Sequence, residues 1–205
     1  MSVVVLISGR GSNLEALLRA KIPVTAVISN VAGAGGLAIA SRHGVPTVVV
    51  KHGDFTGREA FEGALAREID THAPRLVALA GFMRVLTPSF VRRYDGRMVN
   101  IHPSLLPAFP GLRTHERALA AGVKIHGCTV HLVTAELDSG PVVIQAAVPV
   151  RSGDTEDLLA ARVLKQEHLI YARAVRWFLE GRLVVARGVV SVKGNDAQTL
   201  YSDGD

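Results

Sequence analysis

The sequence predicts an α/β fold: a mostly parallel sheet flanked by helices, with an antiparallel C-terminal part. Three observations lead there. The chain opens on a continuous β-branched run at residues 3–8, the pattern of a strand buried on both faces. From there to about Ile101, short apolar runs alternate with helical patterns, which implies parallel strands with right-handed crossovers. Beyond that point two alternating runs, residues 127–134 and 142–150, are joined around Asp138-Ser139-Gly140-Pro141, as in an antiparallel pair.

After the first strand comes Gly9-Arg10-Gly11-Ser12-Asn13, then a helix over residues 14–20. Residues 24–29 form the second strand, 37–43 a helix and 45–50 the third strand. After a loop at 51–57, residues 58–72 form an amphipathic helix with Phe61, Leu65 and Ile69 on one face. The fourth strand lies within 75–81. Thr87-Pro88 opens a short helix through Arg93, with proline in the first turn where it is tolerated. Residues 98–101 form the fifth strand and 114–121 a helix. Asp154 is expected to cap a long helix that buries Leu159, Val163, Ile170, Ala174 and Phe178 and ends at Gly181. Residues 183–192 read as one or two strands, and 193–205 as a polar, frayed tail.

A chain of 205 residues can bury a sizeable core without staples. With 48% apolar and 20% charged residues it reads as an ordinary globular protein. The lone Cys128 excludes an internal disulfide. The first residues lack a basic n-region, and their apolar run is too short for a membrane span, so a cytoplasmic protein without membrane association is expected. The net charge of +5 favours anionic partners. The basic residues are dispersed, which argues against a nucleic-acid-binding arm.

Strand, Gly-rich turn and helix is a geometry that aims backbone N–H groups at a phosphate. Neither the dinucleotide fingerprint nor the triphosphate-binding loop is met, since Leu14 replaces the third glycine and no Gly-Lys-Ser/Thr follows. Gly11, Ser12 and Asn13 therefore either hold one phosphate or form a tight turn with a Ser or Asn helix cap. Asn100 and His102 are two apart on a strand, so they share a face, and Pro103 ends the strand at once. An amide donor beside an imidazole can polarise a carbonyl and handle a proton. Equally, Asn100 can cap a turn and His102 be an ordinary satisfied polar residue. Gly11, Arg84, Asn100 and His102 all fall at or just past strand carboxyl ends, where such sheets bind ligands. Asp138 alone reads as a turn residue, and Arg58 at a helix start as a solvated cation or a ligand contact. His126, Cys128 and His131 lack metal-ligand spacing, and no metal is expected.

The run Asn100-Ile-His-Pro-Ser-Leu-Leu-Pro107, followed by Asp138 in Glu-Leu-Asp-Ser-Gly-Pro, closely resembles the folate-dependent formyltransferases over nearly all of the chain, fading after about Val185. The resemblance implies a Rossmann-like fold, 10-formyltetrahydrofolate as cosubstrate and catalysis by Asn100, His102 and Asp138. Ile-Ser-Gly-x-Gly-Ser-Asn resembles the branch whose acceptor is glycinamide ribonucleotide. It implies that Gly11, Ser12 and Asn13 hold the substrate phosphate and that Glu167 lies near its ribose or amine. It further implies that Arg58, Met83, Arg84, Val85, Leu86 and Asn100 line the folate site. The chain is expected to be too short for the RNA-binding domain of the methionyl-tRNA branch, and to lack the N-terminal regulatory domain of the hydrolases. One domain over 1–190 is expected, with a phosphate-binding half to about residue 100, a folate and catalytic half after it, and a flexible tail at 191–205. The implied state is a monomer or homodimer acting on small molecules. A formyltetrahydrofolate hydrolase and a non-enzymatic phosphate-binding module are the alternatives.

Overall fold

The structure, a computed structural model, describes residues 2–202. The chain divides into two compact units, Met1–Asn100 and Ile101–Asp205.

The first unit alternates strand and helix: β1 (Val3–Ile7), α1 (Ser12–Arg19), β2 (Val24–Ser29), α2 (Gly35–Arg42), β3 (Thr47–Val49), α3 (Arg58–Thr71), β4 (Leu76–Leu79), α4 (Pro88–Arg93) and β5 (Met98–His102). β5 runs through the division between the units. The strands are parallel in the order β5-β4-β1-β2-β3. All five residues of β1 are fully buried, which is why this strand is a continuous apolar run rather than an alternating one. On α3 the expected face is buried at Phe61, Leu65 and Ile69, and Glu62 is buried beside it. Thr87 caps α4 by accepting from Phe90 N–H, with Pro88 in the first turn. β3 is shorter than expected; as an edge strand it has exposed Thr47 and Val49, and little packing extends it.

The second unit contains α5 (Thr114–Ala120), β6 (Ile125–Leu132), β7 (Val142–Pro149), α6 (Glu156–Leu179), β8 (Leu183–Ala186), β9 (Val189–Val192) and β10 (Thr199–Tyr201). β6 and β7 are antiparallel, with a register shift between Val130 and His131. β8 and β9 form a hairpin.

Three expectations are corrected here. Thr155, not Asp154, caps α6, by accepting from Leu158 N–H at 3.3 Å. Asp154 is instead committed to Arg162, with Nη1 and Nη2 at 2.7 and 2.8 Å, and this holds its carboxyl down at about 2. On the last turns of α6, Trp177 is buried and Phe178 only half-buried. The stretch from residue 193 does not fray over its described part. Asp196 accepts from Trp177 Nε1–H at 2.9 Å and from Arg182 at 2.7 Å, and β10 pairs parallel with β7. Residues 203–205 of the expected tail lie outside the described residues. A backbone strand pairing and a Trp–Asp bond leave little trace in a polar sequence, so composition alone misreads it.

His115 Nδ1 and His126 Nε2 lie 3.2 Å apart in this unit. That contact needs at least one lone pair, so it holds while the pair is not doubly protonated. Burial, followed by the charge of His115, pushes His126 down from 6.5 to about 4, and burial also lowers His115. The unfolded chain therefore binds more protons between those two values, and stability falls as pH drops through that window and levels off below about 4. Urea midpoints measured from pH 7.5 to 4 should show this loss, and His126→Gln should flatten the slope. Parallel curves for the two proteins would contradict the assignment.

Candidate active site

β1 ends at Ile7, and the chain turns through Ser8, Gly9, Arg10 and Gly11 into α1. Gly11 is the N-cap at φ 84°, and a Cβ there would strike the Gly36 backbone, so the turn admits only glycine. Gly36 N–H donates to Gly9 O at 3.1 Å and closes the turn against α2. Among the described residues no side-chain hydrogen bond caps α1. The first N–H groups of a helix have no acceptor within it, and the helix dipole favours an anion there. Helix α1 starts at Ser12, two residues before the expected Leu14. Ser12 (half-buried) and Asn13 (buried) thus lie in the first turn, and neither is the cap. The helix cap is therefore Gly11 rather than the expected Ser or Asn, and the stretch is a tight glycine turn that opens α1.

β1 has β2 on one side and β4 on the other, so the strand order reverses at β1. At such a point the loops leaving the two neighbouring strands diverge and open a crevice. Those loops are the Gly9–Gly11 turn and the segment that follows β4. That segment, residues 82–87, has no regular secondary structure. Within it Met83 and Val85 are exposed, Arg84 is half-buried and Leu86 buried. The Arg84 guanidinium lies 5.6 Å from the centre of the Phe61 ring, a cation–π contact. Arg58 is exposed at the first position of α3. Asn100 is half-buried on β5 and pairs in register with Leu79 of β4.

In the second unit His102 is buried at the end of β5. Its Nε2 lies 3.1 Å from Phe109 O, and since a carbonyl only accepts, Nε2 carries the proton. Its Nδ1 faces Asp138 Oδ2 at 3.5 Å, an ion pair when Nδ1 carries a proton as well. The Asp138 side chain is only 8% exposed. Oδ2 also accepts from Gly111 N–H at 2.8 Å, and Oδ1 lies 3.8 Å from His131 Nε2. Asp138 sits at φ 51°, a left-handed conformation that Asp tolerates. The turn around it is closed at Gly140, where a Cβ would strike Leu132 O. Asp138 is therefore more than the turn residue its local sequence suggests: its carboxylate faces two imidazoles.

The proline-rich loop between β5 and α5 is pinned from below. Thr129 Oγ1–H donates to Ser104 O at 2.7 Å and accepts from Leu106 N–H at 3.0 Å. Gln145 Nε2 donates to Leu106 O at 2.8 Å. Ser104 Oγ–H donates to Ala108 O at 2.6 Å. Sequence reasoning missed Thr129 and Gln145. The only available signal was two polar side chains on strands whose neighbours are apolar. It also considered His131 only as a metal ligand. Its ring instead sits beside Asp138, with Nδ1–H donating to Leu132 O at 3.0 Å, and burial lowers its pKa.

Glu167 is buried midway along α6. The Cys128 thiol is pushed far up by burial and, second, by the charge of Glu167, so it remains a thiol and not a nucleophile. Among the described residues, no group of three or more His, Cys, Asp or Glu side chains is placed to hold a metal.

The formyl transferase family model matches residues 1–175. Phosphoribosylglycinamide formyltransferase of Escherichia coli K12 is 53% identical over 189 residues, covering 89% of each chain. The trifunctional purine biosynthetic protein adenosine-3 of Drosophila melanogaster is 45% identical over 197 residues, 92% of this chain and 15% of that protein. The crystal structure of phosphoribosylglycinamide formyltransferase from Anaplasma phagocytophilum superposes with a TM-score of 0.93 at 44% identity, covering 99% of both chains. With a Rossmann-like parallel sheet, a histidine–aspartate pair whose histidine ends β5, and these similarities, the chain belongs to the formyl transferase family.

Proposed function

We propose that this chain transfers the formyl group of 10-formyltetrahydrofolate to the amine of glycinamide ribonucleotide, a step of purine synthesis. The observation that carries the reading is the buried His102–Asp138 pair at the end of the strand that also bears Asn100. In this reaction the amine attacks the formyl carbon and an oxyanion develops on the formyl oxygen. Asn100 and His102 donate to that oxygen. The Nε2–H that now points at Phe109 O is the donor, and the substrate oxygen takes the carbonyl's place. Asp138 holds the ring, and orders the proton's passage from the attacking amine to the leaving nitrogen. No covalent enzyme intermediate is required, in keeping with the inert Cys128 thiol.

The first-turn N–H groups at Gly11, Ser12 and Asn13 take the ribonucleotide phosphate. Glu167 is assigned to its ribose or amine. Arg58, Met83, Arg84, Val85, Leu86 and Asn100 are assigned to the folate. These assignments come from the family resemblance, and the switch point at β1 supports those for the first unit. The reaction needs no metal. The protein is proposed to work in the cytoplasm, on small molecules and without nucleic acid, as a monomer or homodimer. No helix among the described residues is long and apolar enough to cross a membrane.

The deciding experiment mixes the purified protein with both substrates and follows the folate absorbance. Formyl transfer depends on the ribonucleotide; a hydrolase releases formate without it, and a binding module does neither. Asn13→Ala should raise the KM for the ribonucleotide and leave folate binding nearly unchanged, and equal weakening of both substrates would contradict the phosphate assignment. His102→Ala and Asp138→Ala should each lower kcat by roughly a hundredfold or more, the scale of losing one oxyanion donor. Because the two act as one unit, the double variant should be barely worse than the worse single, with little change in either substrate's binding. Near-normal turnover of Asp138→Ala, or losses that simply multiply, would sink this mechanism.

A further inference from the structure

The segment between β4 and α4 lacks regular secondary structure, yet both of its ends are held by side chains from elsewhere in the first unit. At the near end Met83 N–H donates to Ser8 Oγ at 2.8 Å. Ser8 is itself fixed: its hydroxyl donates to Asn30 Oδ1 at 2.6 Å, and its N–H to Gly81 O at 3.1 Å. At the far end Thr87 N–H donates to Glu62 Oε1 at 2.8 Å, and Thr87 Oγ1–H donates to Glu62 Oε2. Between the two ends Met83 and Val85 are 70% and 53% exposed, while Arg84 is half-buried and Leu86 buried.

Glu62 is the unexpected residue. It is 4% exposed, on a helix whose neighbouring Phe61, Leu65 and Ile69 supply an apolar face. A buried carboxylate costs stability unless it is well paired, and an apolar residue of similar size would usually serve a core better. Both Glu62 oxygens are spent on one residue, Thr87, which is where the segment ends. The preceding residue, Phe61, lies under the Arg84 guanidinium in the middle of the segment. Two consecutive residues of α3 thus hold the middle and the far end, and Ser8 holds the near end. Such a device stiffens a loop whose own backbone bonds do not, and a pre-ordered loop binds its ligand without an ordering cost.

We propose that Ser8 and Glu62 are positioning residues, which grip the Met83–Leu86 segment at its two ends through the N–H groups of Met83 and Thr87 and so set the affinity for the formyl donor. The proposal rests on the reading that this segment lines the donor site. It predicts that Glu62→Ala raises the KM for 10-formyltetrahydrofolate roughly tenfold, with kcat and the KM for glycinamide ribonucleotide within about twofold of wild type. Glu62→Gln should recover most of the lost affinity, since the amide oxygen accepts from Thr87 N–H and its NH2 donates to Thr87 Oγ1. Ser8→Ala should raise the same KM by a similar factor. If Glu62→Ala does not fold, Ser8→Ala and Glu62→Gln carry the test.

Hydrogen exchange on the wild-type protein separates the proposal from its premise. Saturating donor should slow exchange of the amides of residues 83–87. Without such slowing, the segment does not line the donor site, and the proposal falls with that assignment. With slowing present, an unchanged donor KM in both Glu62→Ala and Ser8→Ala overturns the grip alone. So does a Glu62→Gln enzyme as impaired as Glu62→Ala, because hydrogen bonding would then not be what matters.

Discussion

The second unit is organised around one buried carboxylate. Asp138 accepts from Gly111 N–H, faces His102 Nδ1 and lies near His131 Nε2, with its side chain almost out of solvent. A carboxylate so placed is strongly destabilising without partners, and each of these partners belongs to a different piece of chain. Gly111 brings in the proline-rich loop, His102 the end of β5, and His131 the end of β6. Satisfying the one charge therefore fixes the loop, the imidazole and the turn together. The left-handed backbone at Asp138 and the crowding at Gly140 follow, because the turn must bend sharply to deliver the carboxylate inward. The same loop supplies Phe109 O, which fixes the His102 ring from its other side.

The first unit solves a different problem. Its central strand β1 is apolar throughout, and many of its polar groups gather where the strands stop. Ser8 follows β1, Asn30 follows β2, His52 follows β3 and Met83 follows β4. Met83 N–H donates to Ser8, Ser8 donates to Asn30, and Asn30 Nδ2 meets His52 Nδ1 at 3.3 Å. One polar chain thus spans the carboxyl ends of four strands. It runs between the turn proposed to take a phosphate and the segment proposed to take folate, and gives both a common frame. The backbone constraint at Gly11 belongs to this frame, since α1 and α2 approach too closely there for any side chain.

The alternation of apolar runs with helical patterns suffices for parallel strands but not for their order, because buried parallel strands are continuously apolar and their crossovers amphipathic. Phe61, Leu65 and Ile69 at a spacing of four, Pro88 after Thr87, and Gly181 after the long helix are likewise local signals with local causes. The motif around Asn100, His102 and Asp138 was legible through resemblance, since taken alone each residue has an ordinary structural use.

Periodicity and motif are local properties, and they reveal which segments are strands or helices and which residues belong to the family pattern. Partnership between side chains emerges with the folded chain. Thr155 rather than Asp154 caps α6 because Arg162 claims the carboxylate. The polar stretch after Val192 docks because Asp196 meets Trp177 and β10 finds the edge of β7. Glu62 is buried because Thr87, 25 residues away, presents an N–H and a hydroxyl to it. Hydrogen bonds and ion pairs act over a few ångströms between groups far apart in the chain. Periodicity reports which face a residue shows, and not what it meets there.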